Sequence, residues 1–315
     1  MVDLTNTLVC VTEQMVTTAA DQQSNDSPSG APQPGFAGRT PTMVVGLLDG
    51  RLVPSTVPLL RPDDAGVTRG DGVFETTLVH AGTPRDLEEH LARMAISARM
   101  TDLVLPDPMD WQRGIDAVLD SWSGGDMVLR LIATRGPEHG VPTCYVTGSA
   151  VSETAVRQRV TGVRVLLLDR GFSGPAAAAA PWLLAGAKTL SYAINMAALR
   201  YASAHDADDV IFIGSDGGVL EAPTATVVLL RGRTLLTPPL EGVLDGITVV
   251  RLFRAAQDAG WSTAYRALTR DDLLGADGVF LASSIRLLTQ VTSIDGSPRG
   301  DSGRSSELQG LLDCP

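Results

Sequence analysis

The stretch Ala185-Gly186-Ala187-Lys188-Thr189-Leu190 contains the only lysine in a chain of 315 residues, although arginine occurs throughout. The neighbours of Lys188 are small or apolar, so its amine is expected to lose the hydration that keeps an ammonium group charged. A neutral amine is a nucleophile, and the stretch therefore predicts a reactive lysine. An arginine-rich composition could also leave one lysine at an arbitrary position, so other residues must decide between the two interpretations.

The composition limits the partners that the protein can have. The net charge is −11, which argues against nucleic acid and anionic membranes as main partners, because both attract basic surfaces. The three cysteines, Cys10, Cys144 and Cys314, show neither disulfide nor metal-binding spacing and fit a reducing compartment. No signal peptide or membrane-spanning apolar stretch is recognised, so we expect a cytoplasmic protein with a small-molecule substrate and no metal.

Turn signals and composition divide the chain into four parts. Residues 1–41 are rich in small and polar residues and are predicted to form a disordered extension. Residues 42–170 are predicted to form a small α/β domain and residues 188–315 a larger domain. Residues 171–187, which include five consecutive alanines and two prolines, are predicted to be the linker between them.

Hydrophobic periodicity predicts a mixed α/β chain. In the first domain we expect helices at 86–100 and 109–122 and strands at 42–48, 72–79, 127–134, 144–147 and 162–168, the last of which closes that domain. In the second domain we expect helices at 189–204 and 246–259 and strands at 209–213, 219–220, 226–230, 234–236, 262–266, 278–282 and 287–294.

Two acidic and turn-forming segments follow Lys188 and are candidates for a site around it. Glu221 ends a predicted strand beside small residues and a proline, where it could face a cavity; it could equally be a solvated acid of a hairpin. The segment Gly242–Thr248 leads into a predicted helix, whose first N–H groups could bind an anion with the Thr248 hydroxyl. Ordinary capping of that helix by Asp245 is the alternative interpretation.

Two further features supply hydrogen-bond donors. Ser283 and Ser284 end a predicted strand, where their hydroxyls could bind the same anion or form a simple turn. Arg93 lies on the apolar side of a predicted helix and could either extend to solvent or reach a buried anion. Together with Lys188 and Glu221, these residues are the parts of a pyridoxal phosphate site: an amine, a carboxylate and phosphate donors.

The order of these motifs resembles the fold-type-IV pyridoxal phosphate enzymes, the class IV aminotransferase superfamily, and most of all its aminodeoxychorismate lyases. The matching stretches are Arg69–Thr76, Glu89–Met94, Ala187–Ser191, Gly218–Glu221, Leu244–Thr248 and Phe280–Ser284. The resemblance implies a two-domain α/β (α+β) fold, with a small N-terminal α/β domain and a larger C-terminal, pyridoxal phosphate-binding β-barrel-like domain with flanking helices. It also implies a homodimer.

The resemblance assigns a role to each site residue. Lys188 would be the catalytic residue, bonded to pyridoxal 5'-phosphate as a Schiff base, and Glu221 would pair with the pyridine nitrogen. The phosphate would be bound by four residues, which are Arg93, Ile247, Thr248 and Ser284. The substrate side would be lined by Phe74 and Glu75, with His139 as a further candidate.

Several positions depart from the family pattern. Ser191 stands where many relatives have asparagine, and Ala222-Pro223-Thr224 follows Glu221 where relatives often have Gly-Ser. The stretch Thr134–His139 lacks the second arginine with which D-amino acid aminotransferases bind the substrate carboxylate. These differences weaken the interpretation as a D-amino acid aminotransferase. The missing arginine and the short loop at Gly136–Gly140 favour a 4-amino-4-deoxychorismate lyase of folate biosynthesis. The alternatives are an aminotransferase acting on branched-chain or D-amino acids, and a binding protein that kept the fold without activity.

Overall fold

The described residues form two sheets, the first of which is antiparallel throughout and has the order β2-β1-β6-β5-β3-β4. The computed structural model describes residues 43–300 and 303–312, so the extension predicted for residues 1–41 lies outside the described residues. The strands of this sheet are β1 Met43–Leu47, β2 Leu52–Val53, β3 Gly72–His80, β4 Thr83–Pro84, β5 Met127–Thr134 and β6 Thr143–Ala150.

Helices cover one face of this sheet. They are α2 Leu87–Met100, which packs on β3, and α3 Pro108–Ser121, which packs on β1 and β6. The short helix α1 Ala65–Arg69 precedes β3 and buries no side chain. The buried side chains between the helices and the sheet include Val73, Met94, Trp111, Ile115 and Leu129. Because side chains alternate along a strand, every second residue of β3 faces these helices, and the residues between them face the other way.

The second sheet has the order β11-β10-β9-β12-β13-β7-β8, with β14 paired to β13. Its strands are β7 Val163–Asp169, β8 Asp209–Ile213, β9 Thr226–Arg231, β10 Thr234–Thr237, β11 Ser262–Tyr265, β12 Gly278–Ser283, β13 Leu287–Ile294 and β14 Ser297–Pro298. The pairs β10–β11, β13–β7 and β7–β8 are parallel and the others antiparallel.

The helices around the second sheet pack mainly through alanine, valine and leucine. They are α4 Glu153–Thr161, α5 Gly174–Ala178, α6 Ala193–Ala204, α7 Ile247–Asp258, α8 Arg270–Leu274 and α9 Ser305–Gly310, with a 3-10 turn at Pro181–Leu183. The most amphipathic of the long helices is α7: Val249, Leu252 and Phe253 are buried against β12 residues such as Phe280. Burial of each such side chain stabilises the fold by about 1.5–3 kcal/mol.

The predicted α/β class with two unlike sheets is confirmed, but one strand was assigned to the wrong unit. The strand expected to close the first domain is β7, and it lies in the second sheet, between β13 and β8. Its near-continuous run Val163-Arg164-Val165-Leu166-Leu167-Leu168 suits a parallel interior strand, which is covered on both faces. The division into two domains stays a prediction.

The stretch around Lys188 also differs from the expected helix at 189–204. Residues 188–190 run along β3: the Phe74 N–H donates to the Lys188 carbonyl at 3.0 Å, and the Leu190 N–H donates to the Gly72 carbonyl at 2.8 Å. The helix α6 therefore begins only at Ala193. This strand-like pairing holds Lys188 against the first sheet, while the chain on either side of it belongs to elements that pack on the second.

Candidate active site

Lys188 is held on both sides by backbone hydrogen bonds. Its carbonyl accepts from Phe74 of β3, and its N–H donates to Ser97 Oγ of α2 at 3.0 Å. Gly186, two residues before, has a φ of +91°, which favours glycine and lets the chain turn into this position. The lysine backbone is therefore fixed by contacts to the first sheet and its main helix.

The amine of Lys188 lies among aromatic rings. Its Nζ is 4.5 Å from the ring centroid of Phe74, 5.5 Å from that of Tyr192, and 3.3 Å from Tyr192 Oη. Burial lowers the pKa of Lys188 from its ordinary value of 10.5 to about 8. The charges of Arg93 and Arg130 also lower this pKa, whereas those of Glu75 and Glu221 oppose the fall.

Glu221 is a sheltered carboxylate rather than the solvated hairpin acid of the alternative interpretation. Its carbonyl accepts from the Phe212 N–H of β8 at 2.9 Å, and its Oε2 accepts from the Leu244 N–H at 3.1 Å. Burial raises the pKa of Glu221, and the Leu244 hydrogen bond and the charges of Arg170 and Lys188 act against that rise. The Glu221 carboxylate accepts one hydrogen bond from the protein, at Oε2. It can therefore still accept a hydrogen bond from a protonated nitrogen of a ligand.

The helix α7 presents its N-terminus as an anion site. Gly246 is the residue before the helix, and among the described residues no side chain caps it, so the alternative of capping by Asp245 is not observed. Thr248 is buried at 7% exposure, and Ile247 is partly buried. The first N–H groups of a helix have no partner within it, so those of Ile247 and Thr248 can serve an anion.

Gly246 is required at this position by a close approach between two elements. A Cβ added to it would lie 2.2 Å from Thr226 Oγ1 of β9, which is far inside van der Waals contact. Any larger residue would therefore push the start of α7 away from the sheet. The anion site depends on this contact because it determines where the first N–H groups point.

Arg93 connects the two sheets at the anion site. Its Nε and Nη2 donate to the two oxygens of Glu75 at 2.7 and 2.8 Å, and its Nη1 donates to the carbonyl of Asp245 at 2.6 Å. Each Nη carries two N–H groups. Within the part of the chain that the structure describes, one N–H of each Nη therefore stays available for an anion at the start of α7.

Glu75 was expected to line the substrate side of the site, but the structure places it on the other face of β3. It is fully buried and points toward α2, where His90 Nδ1 lies 2.7 Å from its Oε2. Burial raises the pKa of Glu75, but hydrogen bonds from Arg93 and His90 outweigh it and hold the pKa at about 2. His90 Nε2 in turn lies 3.3 Å from Ser284 Oγ. Glu75 therefore positions the phosphate-binding candidates, because strand alternation turns it away from the face of Phe74.

The opposite face of β3 carries Phe74 and Thr76. Arg130 of β5 is paired with Thr76, so its cationic side chain lies on the same face. Arg130 is exposed, but partial loss of hydration lowers its pKa, and its charge lowers the pKa of Lys188. Among the described residues, no ion pair or hydrogen bond of the Arg130 side chain is found. Sequence reasoning missed Arg130, although an arginine in the apolar strand Met127–Thr134 was a usable signal.

The loop that follows β5 does not bring its polar residues to Lys188. Arg135 donates to both oxygens of Asp71 and to the carbonyls of Thr101 and Asp102. The side chain of His139 is 92% exposed, 3.8 Å from Glu138. The structure thus places Lys188 near Phe74, Arg93 and Glu221, whereas His139 lies apart from it in solvent.

Tyr192 is the second residue that sequence reasoning missed. It stands four residues after Lys188, a spacing that places two side chains on one face of a helix. The helix predicted at 189–204 began after Lys188, so the pair was not considered. The stretch after Glu221 forms a tight turn closed by Ala222 and Ala225, and its Pro223 carbonyl accepts from Asn195 Nδ2 at 2.6 Å. Ser191, the other departure, donates its hydroxyl to the Gly70 carbonyl at 3.1 Å, so both departures are engaged in local hydrogen bonds.

The donor set fits pyridoxal phosphate. A desolvated amine can condense with its aldehyde, a sheltered carboxylate can pair with its ring nitrogen, and an uncapped helix start with an arginine and a serine can bind its phosphate. Among the described residues, no group of three or more His, Cys, Asp or Glu side chains could hold a metal ion. No helix in residues 43–300 and 303–312 is long and apolar enough to cross a membrane.

Known proteins share this fold and sequence pattern. The model of the amino-transferase class IV family matches residues 72–294. A bifunctional aminodeoxychorismate lyase / D-amino acid transaminase of Mycobacterium tuberculosis is 43% identical over 261 residues, covering 79% of this chain and 90% of that protein. A D-alanine aminotransferase of Bacillus licheniformis is 28% identical over 258 residues, covering 81% and 89%.

Solved structures agree with these relatives. A hypothetical aminotransferase from Mycobacterium tuberculosis in its PLP-bound form has a TM-score of 0.84 and 42% identity, with 86% of this chain and 97% of that chain covered. A structure with the same TM-score and identity is described as the α-ketoglutarate and PMP bound form. These matches confirm the predicted resemblance, the fold class and the cofactor.

Proposed function

The chain belongs to the class IV aminotransferase family, and from this premise we propose that it is a 4-amino-4-deoxychorismate lyase, which releases 4-aminobenzoate and pyruvate. It is a pyridoxal phosphate-dependent enzyme, so the reading as an inactive binding protein is set aside. The observation that carries the choice of lyase is the engagement of Arg135 with Asp71, which leaves the loop after β5 without a free arginine for an amino acid carboxylate.

The cofactor would be held by residues already described. Lys188 would bond to its aldehyde carbon, Glu221 would pair with its ring nitrogen, and the phosphate would accept hydrogen bonds from donors at the start of α7 and beside it, namely Arg93, Ile247, Thr248 and Ser284. When bound, pyridoxal phosphate withdraws electrons from the carbon that bears the amino group of the substrate. Pairing with a sheltered carboxylate favours the protonated ring nitrogen that this withdrawal needs.

Once the amino group of the substrate has replaced it at the aldehyde carbon, the freed amine of Lys188 would act as the base. A pKa of about 8 means that a useful fraction of the amine is neutral near pH 7 to 8, so Nζ can accept the proton from that carbon. Because the amine lies among the rings of Phe74 and Tyr192, the proton is exchanged with few competing waters. Arg130, a cation on the face of β3 that carries Phe74, is our candidate for the carboxylate of the substrate.

A transaminase of D-amino acids or branched-chain amino acids is the second candidate. The similar Mycobacterium tuberculosis protein is described as both a lyase and a D-amino acid transaminase, and the Bacillus licheniformis relative as a D-alanine aminotransferase. Both activities begin with the same proton transfer to Lys188, so one site could perform either. We propose the lyase as the main activity and amino-group transfer as a secondary one.

The setting of the enzyme is part of the same proposal. We expect a cytoplasmic homodimer that works in folate biosynthesis, because 4-aminobenzoate is a folate precursor and family members are usually dimers. Light scattering of the purified protein measures the assembly directly. A monomer with full activity would contradict the dimer.

Product identity tests the proposed function. The purified enzyme, supplied with aminodeoxychorismate, is expected to form 4-aminobenzoate and pyruvate in equal amounts, whereas a Lys188→Ala variant is expected to form neither. A parallel panel of D- and branched-chain amino acids with 2-oxoglutarate or pyruvate measures amino-group transfer. Absence of 4-aminobenzoate together with rapid transfer would reject the lyase in favour of the transaminase.

A further inference from the structure

Tyr192 is held rigidly beside Lys188. Its N–H donates to the Leu190 carbonyl at 2.7 Å, and its carbonyl accepts from the Met196 N–H at 2.9 Å in the first turn of α6. Its ring meets Phe74 edge to face, with centroids 5.1 Å apart and planes at 79°. Backbone bonds and ring packing together therefore fix the direction in which the phenol hydroxyl points.

The phenol is the side-chain hydrogen-bond partner of the amine. Lys188 Nζ donates to Tyr192 Oη at 3.3 Å, and among the described residues the Nζ group has no carboxylate at hydrogen-bond distance. Glu75 is engaged with Arg93 and His90, and Glu221 accepts from the Leu244 N–H. A proton leaving or reaching Nζ through the protein therefore has Tyr192 as its direct route.

The two groups differ in how firmly they hold a proton. Burial, aided by the negative charges of Glu221 and Glu75, raises the pKa of Tyr192 to about 12. The phenol therefore keeps its proton at neutral pH, while the neighbouring amine with a pKa of about 8 can lose its own. A protonated acid and a neutral base then stand side by side, which is the arrangement that a reaction with two proton transfers requires.

Elimination needs two proton transfers at different atoms. The proton leaves the ring carbon that bears the amino group and goes to Lys188 Nζ, and the electrons of that C–H bond form the new ring double bond. The C–O bond to the enolpyruvyl group breaks, its electron pair stays on oxygen, and that oxygen takes a proton. Amino-group transfer has no oxygen leaving group, so it does not need this second acid.

We propose that Tyr192 is a further catalytic residue, whose hydroxyl gives its proton to the departing enolpyruvyl oxygen and recovers it from the Lys188 ammonium. This step rests on the proposed lyase function. The proton taken from carbon thus ends on oxygen by way of Nζ and Oη, the enol converts to pyruvate, and both side chains return to their initial states. The exchange requires no water and no further reactant.

The variant Tyr192→Phe tests the step, because it removes only the hydroxyl and keeps the ring packed on Phe74. Formation of 4-aminobenzoate is expected to fall roughly 10²- to 10⁴-fold in kcat, the usual contribution of a general acid. The exchange of the Cα proton of D-alanine for deuterium, which needs only Lys188, is expected to stay within about threefold. Tyr201→Phe on the exposed side of α6 is the matched control and is expected to leave both rates unchanged.

A second measurement needs no reaction. Since Lys188 is the only lysine, protein grown with ¹³C-labelled lysine has one lysine side-chain signal, whose pH titration in the cofactor-free enzyme gives the pKa of Lys188. A neutral hydroxyl that accepts from an ammonium favours the charged form, so Tyr192→Phe is expected to lower this pKa below about 8. Tyr201→Phe is expected to leave it unchanged.

The possible outcomes separate this inference from the proposed function. Wild-type production of 4-aminobenzoate that Tyr192→Phe leaves intact overturns the role of Tyr192 alone. An equal loss of elimination and of deuterium exchange also overturns the role of Tyr192 as an acid, since the hydroxyl would then only position the amine. An unchanged pKa of Lys188 in Tyr192→Phe overturns the Lys188–Tyr192 hydrogen bond. Wild-type enzyme that forms no 4-aminobenzoate overturns the lyase and this step together.

Discussion

Replacing Lys188 by methionine is expected to stabilise the cofactor-free protein at neutral pH, although it removes the residue on which the chemistry depends. Burial lowers the pKa of Lys188 from 10.5 to about 8. Holding its charged form in the folded protein therefore costs on the order of 3 kcal/mol. Methionine has a similar length and carries no charge, so it fills the same space without that cost.

Two contacts act in the opposite direction. The ammonium lies 4.5 Å from the centroid of the Phe74 ring, an attraction of about 0.5–2 kcal/mol. It also donates to Tyr192 Oη at 3.3 Å, a bond with a net contribution of about 1 kcal/mol. Desolvation remains the largest effect, and the expected net gain of Lys188→Met at pH 7 is about 1 kcal/mol.

The dependence on pH identifies the cause. Below the folded pKa of about 8 the lysine is protonated in both states, so the full cost applies. Between pH 8 and 10.5 the unfolded chain binds a proton that the folded protein does not, so the stability of the wild type rises with pH. The pKa difference between 10.5 and about 8 corresponds to about 3 kcal/mol. The advantage of Lys188→Met is therefore largest below pH 8, is lost near pH 9 and becomes a deficit of about 2 kcal/mol by pH 10.5.

Urea unfolding of the two cofactor-free proteins at several pH values measures this difference. Because the chain has one lysine, the pH dependence of the difference reports that group alone. A variant that is less stable than the wild type at pH 7 and equally so at pH 10.5 would refute the reasoning, since the amine would then be well solvated.

Three further predictions concern the network around the site. Glu75→Gln is expected to cost about 3–5 kcal/mol at pH 7 because it leaves the largely buried Arg93 guanidinium without a carboxylate partner. The loss should shrink as pH falls from 4.5 toward 2. Asp71→Asn, in a more exposed pair, should cost under about 1 kcal/mol in the same urea titrations, and equal losses would contradict this. Gly246→Ala should weaken pyridoxal phosphate binding by about tenfold or more, because the added methyl group would collide with Thr226 Oγ1. Adding Thr226→Ala should restore part of the affinity. Fluorescence titrations measure both effects, and an unchanged affinity of Gly246→Ala would contradict the prediction. Arg130→Met should raise KM for aminodeoxychorismate by about 10- to 100-fold with little change in kcat, and an unaltered KM would remove Arg130 from the substrate site.

Much of the site could be read from the sequence because its signals are local. A lone lysine among small residues and a glycine before the helix from Ile247 each show in a few neighbouring positions. The strand predicted before Glu221 is only an isolated bridge at Val219 in the structure. The four longest helices and most strands followed from hydrophobic periodicity for the same reason, with most bounds within a few residues, whereas α4 and the short helices were not predicted.

The tertiary structure alone decided which groups meet. Alternation along β3 shows that Phe74 and Glu75 face opposite ways, but only the packing of α2 makes Glu75 the buried partner of Arg93 and leaves Phe74 beside the amine. The bond from Arg93 to the Asp245 carbonyl joins residues 152 positions apart, a distance over which local patterns carry no information. Burial and charge at Lys188 come from such distant contacts, and they turn an isolated lysine into a base with a lowered pKa.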